Sequence, residues 1–349
     1  MIWLTWRQFR VQAAAVAAIA VAFVLVLAAT GPRLADLATT YRDVFDHINA
    51  NDRHLFYAGI VVIAVAPAII GVFWGAPLVA RELEAGTHRL AWTQSVTRTR
   101  WLAIKLGVTA LAAAAAVGLL TLAVTWWAQP LDGALSSTHG SLPARLTPVS
   151  FAMRGVVPVG YAVFAVVLGA TLGAVFRRSL PAMAVTLAVV IFVQIAVPTW
   201  IRPHLMPTAE QTVTFDRERL DGISIGDTGP GSPLRIAVNT GGVGNWVLSN
   251  QTVDASGRAT DLPSWFGACL PAPPAPGTGT TEGTTVRAQG PDTMEACFTR
   301  LNAEGYRQHV VYQPAKHFWP LQWVELALFL ALSGLLTGFC FWWVRRRLS

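Results

Sequence analysis

Six apolar runs set the pattern of the chain: residues 11–30, 56–78, 105–128, 154–176, 180–201 and 318–344. Each holds at least 20 residues, enough for about 30 Å of α-helix, the depth of a bilayer's hydrocarbon core. The pattern predicts an α-helical polytopic membrane protein with six transmembrane helices. Gly and Pro inside the runs (Pro67, Gly118, Pro158, Gly169, Gly173, Pro198) are compatible with this, because neighbouring helices satisfy freed backbone groups. The spacing of Gly169 and Gly173 suits close helix contact, although small residues are common throughout so Ala-rich a chain.

Residues 1–10 alternate bulky and basic side chains, with Trp3, Trp6 and Phe9 beside Arg7 and Arg10. That alternation predicts a short interfacial helix leading into the first span. A cleaved signal peptide is the competing reading, given small residues near Ala28 and Ala29. The length of the run, and the five similar runs after it, favour a span.

Charge sets the expected orientation. With the N-terminus inside, the short inner segments carry 12 basic residues against 5 in the outer loops 31–55 and 129–154. The positive-inside rule then puts the N- and C-termini in the cytoplasm. Segment 202–317 falls outside; it carries 9 basic and 11 acidic residues, an ordinary solvated balance. Its strand-like runs 211–215, 234–238, 246–253 and 307–312, with a helix over 291–305 capped by Asp292, predict a small α+β extracytoplasmic domain between helices 5 and 6. The remainder divides into the transmembrane helices 1–5 over 11–201 and a sixth helix with a basic tail over 318–349. Cys269 and Cys297 lie in the outer segment, flanking a Pro/Gly/Thr-rich excursion at 271–285. A disulfide between them would stabilise by about 3 to 4 kcal/mol on the chain-entropy estimate; two unpaired thiols are the alternative.

The composition, 53% hydrophobic and 13% charged with Ala abundant and Lys confined to Lys105 and Lys316, fits a high-GC bacterial genome and a multi-pass protein of the bacterial cell membrane. A net charge of +7 then reflects the sidedness of loops and contact with membrane lipids rather than nucleic acid.

The polar insert 81–105 breaks the apolar pattern most sharply. It carries Arg81, Arg89, Arg98, Arg100 and Lys105 against Glu82 and Glu84. Gly86 is a helix stop, Thr87 caps a short helix over 88–92, and Thr97 caps the third span. The series Arg81-Glu82-Leu83-Glu84-Ala85-Gly86-Thr87, then Leu90, Thr93-Gln94-Ser95-Val96-Thr97-Arg98 and Lys105, resembles the cytoplasmic signature of ABC-2 type transporter permeases. Ser95 stands where that signature often has proline. The resemblance implies a transmembrane permease subunit of an exporter that pairs with itself or a similar permease. It also implies docking on separate ATPase subunits through the 81–105 loop. Arg81, Glu82, Glu84, Gly86, Thr87, Arg89, Thr93, Ser95, Arg98 and Lys105 are the coupling candidates. Neither lysine follows a glycine, so this sequence has no Walker A loop; no cofactor is expected in this chain, with ATP and Mg bound by the partner ATPase.

Three polar residues fall within or near the spans: Arg154, Gln194 and Glu325. Glu325 lies about 10 Å into the sixth run, where a charge is costly unless paired or hydrated. Pairing with Arg154, a shared cavity open to substrate, or separate snorkelling each answer that cost. Gln194 suits an interhelical hydrogen bond more than a contact with substrate. The seven histidines show no metal-ligand spacing, and no serine elbow or His-Glu-x-x-His motif occurs. A membrane-anchored envelope or sensor protein acting through its outer domain is one alternative. An intramembrane enzyme is another.

Overall fold

The computed structural model describes residues 2–41, 47–86, 97–134, 143, 145–225, 234–240, 242, 244–270 and 291–347. It divides into two units, Met1–Met206 with Lys316–Ser349, and Pro207–Ala315. Six helices are long and apolar enough to cross a membrane.

Helix α1 (Ile2–Thr40) is continuous through residue 10, so the interfacial segment expected at 1–10 and the first span form one rod. No Gly or Pro interrupts it until Gly31 and Pro32, near its far end. The second span is α2 (Ala50–Ile70), a π-helical turn at Gly71–Gly75, and α3 (Ala76–Glu84). The third is α4 (Arg98–Ala134). A one-turn helix, α5 (Pro148–Phe151), precedes α6 (Val157–Phe176), the fourth span. The fifth is α7 (Ser179–Ala196), prolonged by a π-turn at Val197–Ile201 and a 3-10 turn at Arg202–His204.

The second unit contains β1 (Ala209–Val213), β2 (Leu220–Ile225), β3 (Leu234–Val238), β4 (Trp246–Val253), α8 (Pro291–Ala303) and β5 (Arg307–Gln313). β5 lies between β1 and β4, antiparallel to both, and β2 pairs with β3. Strand β2 is absent from the sequence-based expectation, and α8 begins at Pro291, so Asp292 is inside its first turn rather than its cap. Phe215, Phe266, Phe298, Leu301 and Val310 form the core of this unit. Cys269 and Cys297 are disulfide-bonded, joining a 3-10 turn (Ser264–Cys269) to α8. The boundary lies inside the 202–317 segment, because residues 202–206, 316 and 317 group with the helices.

The sixth span, α9 (Phe318–Arg347), completes the helical unit. The end of the bundle carrying Glu84, Arg98, Arg177 and Arg347 is the terminal face; the opposite end is the far face.

The fourth span is the most enclosed, packed against the second, third, fifth and sixth. Its contact with the second span is backbone on backbone. A Cβ on Gly71 would lie 2.7 Å from that of Ala165, one on Gly75 2.6 Å from the Val166 carbonyl oxygen, and one on Gly169 2.6 Å from the Gly71 carbonyl oxygen. Only glycine allows this approach, which is the close contact that Gly169 and Gly173 suggest in the sequence. Outward-facing Leu111, Leu180 and Leu335 are each more than 70% exposed and meet lipid in a membrane.

Candidate functional site

At the terminal face the polar insert begins and ends as its residues dictate. After α3 the Ala85 N–H donates to the Arg81 carbonyl and Gly86 takes φ +71°, the left-handed geometry that closes a helix C-terminus. At the other end the Thr97 hydroxyl accepts from the Arg100 N–H at 3.3 Å and caps α4. The expected short helix over 88–92, with Thr87, Arg89, Thr93 and Ser95, lies outside the described residues. Arg81 is exposed and Arg98 half-buried.

The two glutamates bond to neighbouring spans. Lys105, 4% exposed, donates from Nζ to Glu82 Oε1 at 2.5 Å and to the Leu78 carbonyl at 3.4 Å, and lies 5.0 Å from the Trp101 ring centroid. Glu84 Oε2 accepts from the Ser179 amide at 3.2 Å and its hydroxyl at 2.9 Å, satisfying the first turn of α7. Arg177 Nη2 donates to the Arg347 carbonyl at 2.7 Å. The second span is therefore bonded to the third and fifth, and the fourth to the sixth.

At the far face the buried charge on the sixth span has a partner that the sequence reading does not name. Glu325 pairs with Arg202, not Arg154: Nε to Oε2 at 2.9 Å and Nη2 to Oε1 at 3.0 Å, with both side chains 0% exposed. This two-pronged fit is the geometry in which guanidinium best offsets a desolvated carboxylate. Tyr161 donates to Oε1 at 3.1 Å, Arg202 Nη1 donates to the Pro148 carbonyl, and the guanidinium stacks 4.2 Å from the Phe151 ring centroid. Gln322, one turn earlier in α9, accepts from the Val156 and Val157 amides at the start of α6. It donates to the Phe151 and Arg154 carbonyls. Gly155, at φ +72°, leaves room for it: a Cβ there would lie 2.7 Å from Gln322 Cδ.

Arg154 pairs with Asp132 at the end of the third span and lies over the Phe56 ring. Its Nε and Nη2 have no partner among the described residues. Gln194 donates to the Ala64 carbonyl of the second span at 2.7 Å, an interhelical bond. No group of three or more His, Cys, Asp or Glu side chains that could hold a metal occurs among the described residues.

A family model described as ABC-2 membrane transporter related matches residues 9–202. The chain belongs to this family. It is thus a multi-pass membrane protein of the transporter permease kind, as the 81–105 signature implies. No curated protein and no solved structure matches it. The family match takes in the first five spans and ends at Arg202, so the permease's buried ion pair joins the last matched residue to a span beyond the match.

Of the permease's predicted site residues, Glu82 and Lys105 meet each other, while Glu84 meets Ser179, which the sequence reading misses. Tyr161, Arg177, Asp132, Arg202 and Gln322 are missed too. Gln322 was the most accessible to sequence reasoning, since three residues before Glu325 places it on the same helix face. Arg202 reads as the first solvated residue of the outer segment, because it directly follows the apolar run that ends at Ile201.

Proposed function

We propose that this permease is the transmembrane subunit of an ATP-driven exporter of the ABC-2 type. Its terminal face lies in the cytoplasm and its second unit outside. The 81–105 loop docks on separate ATPase subunits that hold ATP and Mg. Two permease chains, identical or similar, form the membrane part.

The observation that carries this reading is the way the loop is anchored. Glu82 and Lys105, at opposite ends of the insert, bond to each other, and Glu84 bonds to the start of the fifth span. A force on the loop from a docked protein would reach the second, third and fifth spans at once. The glycine-lined contact would carry the motion of the second span into the fourth. The distribution of basic residues favours the same sidedness, and this sequence supplies no phosphate-binding loop of its own. A solvated surface loop would need none of these anchors.

The test is a pull-down from membranes co-expressing the tagged permease with a candidate ABC ATPase from the same genome. The ATPase should be retained by the intact chain and lost when residues 86–96 are replaced by a Gly-Ser linker. Retention by both chains would place the docking surface elsewhere, and binding to neither would remove the proposal.

A further inference from the structure

We propose that the second unit carries a binding site for a small oxyanion, a carboxylate or phosphate, on the solvent face of its three-stranded sheet. A cleft of about 380 Å³ opens there, lined among others by Thr212, Asp254, Gly257, Gly305, Arg307 and His309. Its size is within the usual range of small-molecule sites.

The strands explain why these side chains converge. Along β5 the residues Gln308 and Val310 are buried, so Arg307 and His309 share the opposite face. Thr212 of β1 is directly across from His309, and Val253 of β4 directly across from Arg307. Two turns wall the end of the cleft, at 254–258 and 303–305. Gly257 and Gly305 take φ of +80° and +87° in them, and a Cβ on Gly305 would lie 2.8 Å from that of Ala255. Side chains at these glycines would narrow the opening.

Arg307 brings to the cleft a donor edge that the other lining groups do not use. Arg307 uses Nη1 on the Asn302 and Tyr306 carbonyls, which fixes the guanidinium and leaves its Nε and Nη2 edge without a partner among the described residues. That edge matches the two oxygens of a carboxylate or phosphate. His309 Nδ1 and the Thr212 hydroxyl hydrogen-bond to each other at 3.2 Å, two residues along β5 from Arg307, and flank that edge. The one carboxylate lining the cleft is already occupied. Asp254 Oδ1 accepts from the Ser256 hydroxyl and amide and the Arg258 amide, and Oδ2 pairs with Arg258. The Ser256 hydroxyl first, then the Arg258 amide, hold this carboxyl below its usual range. A second carboxylate, that of Glu210, reaches to 3.8 Å from His309 Nε2 while 63% exposed. Its negative charge opposes an oxyanion bound beside His309.

The experiment is isothermal titration of the full-length protein in maltoside with succinate, with inorganic phosphate, and with chloride at matched ionic strength. Saturable binding of succinate or phosphate, absent with chloride, is expected. Arg307→Gln should weaken it about tenfold or more, and Glu210→Gln should tighten it about threefold. His309→Gln, at a half-exposed position outside the core, is the second variant should Arg307→Gln not fold, and should also weaken binding. Responses to both oxyanions that match chloride, or wild-type affinity in both the arginine and histidine variants, would overturn the proposal. The site does not depend on ATPase docking, so either reading can fail alone.

Discussion

Glu82 Oε1 accepts a hydrogen bond from Lys105 Nζ across 23 residues of sequence, closing the base of the polar insert. Lys105 is nearly inaccessible, so its ammonium depends on Glu82, the Leu78 carbonyl and the Trp101 ring in place of water. Removing one member of such a pair leaves an uncompensated charge, at a cost of about 3 to 5 kcal/mol in a fully buried setting. We therefore expect Glu82→Leu to lower the melting temperature of the purified protein more than the double variant Glu82→Leu/Lys105→Leu. Strict additivity of the two single changes would mean the pair does not interact in the folded protein.

The same logic applies with greater force to Arg202 and Glu325, both wholly inaccessible. Glu325→Gln strands a guanidinium among α5, α6 and α9, and the expected loss is about 3 to 5 kcal/mol. Tyr161→Phe removes one donor to a carboxylate that keeps its arginine, at about 1 to 2 kcal/mol. Thermal unfolding followed by size-exclusion recovery ranks the two; an equal effect would contradict the assignment of Arg202 as the main partner.

Gly169 and Gly334 offer a matched comparison within the spans. A methyl at Gly169 meets the backbone of the second span at 2.6 Å, whereas one at Gly334 meets nothing within 4 Å. Gly169→Ala should cost about 1 to 3 kcal/mol through separation of the second and fourth spans. Gly334→Ala should be neutral or slightly stabilising, since alanine favours helix. Similar melting temperatures for both variants would mean that the spans are not in backbone contact.

In the second unit the Cys269–Cys297 bond closes a loop with a sequence separation of 28. Replacing both cysteines by alanine should lower stability by about 3 to 4 kcal/mol, read as a lower melting temperature of the second unit in thermal unfolding. An unchanged melting temperature would mean that the cross-link does not stabilise the folded unit.

How much of this was legible in the sequence depended on whether the deciding interaction was local. Thr97 and Gly86 act within their own helix ends, and their side chain and backbone needs can be read from position alone. The six spans follow likewise from length and apolarity. Glu325 was legible as a charge needing compensation, but choosing Arg202 over Arg154 requires knowing which helix faces meet, and Arg154 turns to Asp132 instead. The 1–10 segment reads as separate because its composition changes at residue 11, yet composition does not break a helix and nothing there does. Strand β2 was hidden because Gly222 and a register shift between Leu220 and Gly222 disturb its alternation. Glu84 and Ser179 meet only because two spans end at the same level, which no local pattern announces.

The central claim, that the anchored loop couples this permease to a separate ATPase, is tested most directly by vanadate-sensitive ATP hydrolysis in proteoliposomes. Three samples are compared: the isolated ATPase, its complex with the wild-type chain, and its complex with Glu82→Leu/Lys105→Leu. The wild-type chain should change the turnover of the ATPase, and the double variant should still bind the ATPase while its turnover returns to that of the isolated enzyme. An ATPase rate that is the same in all three samples would contradict the account.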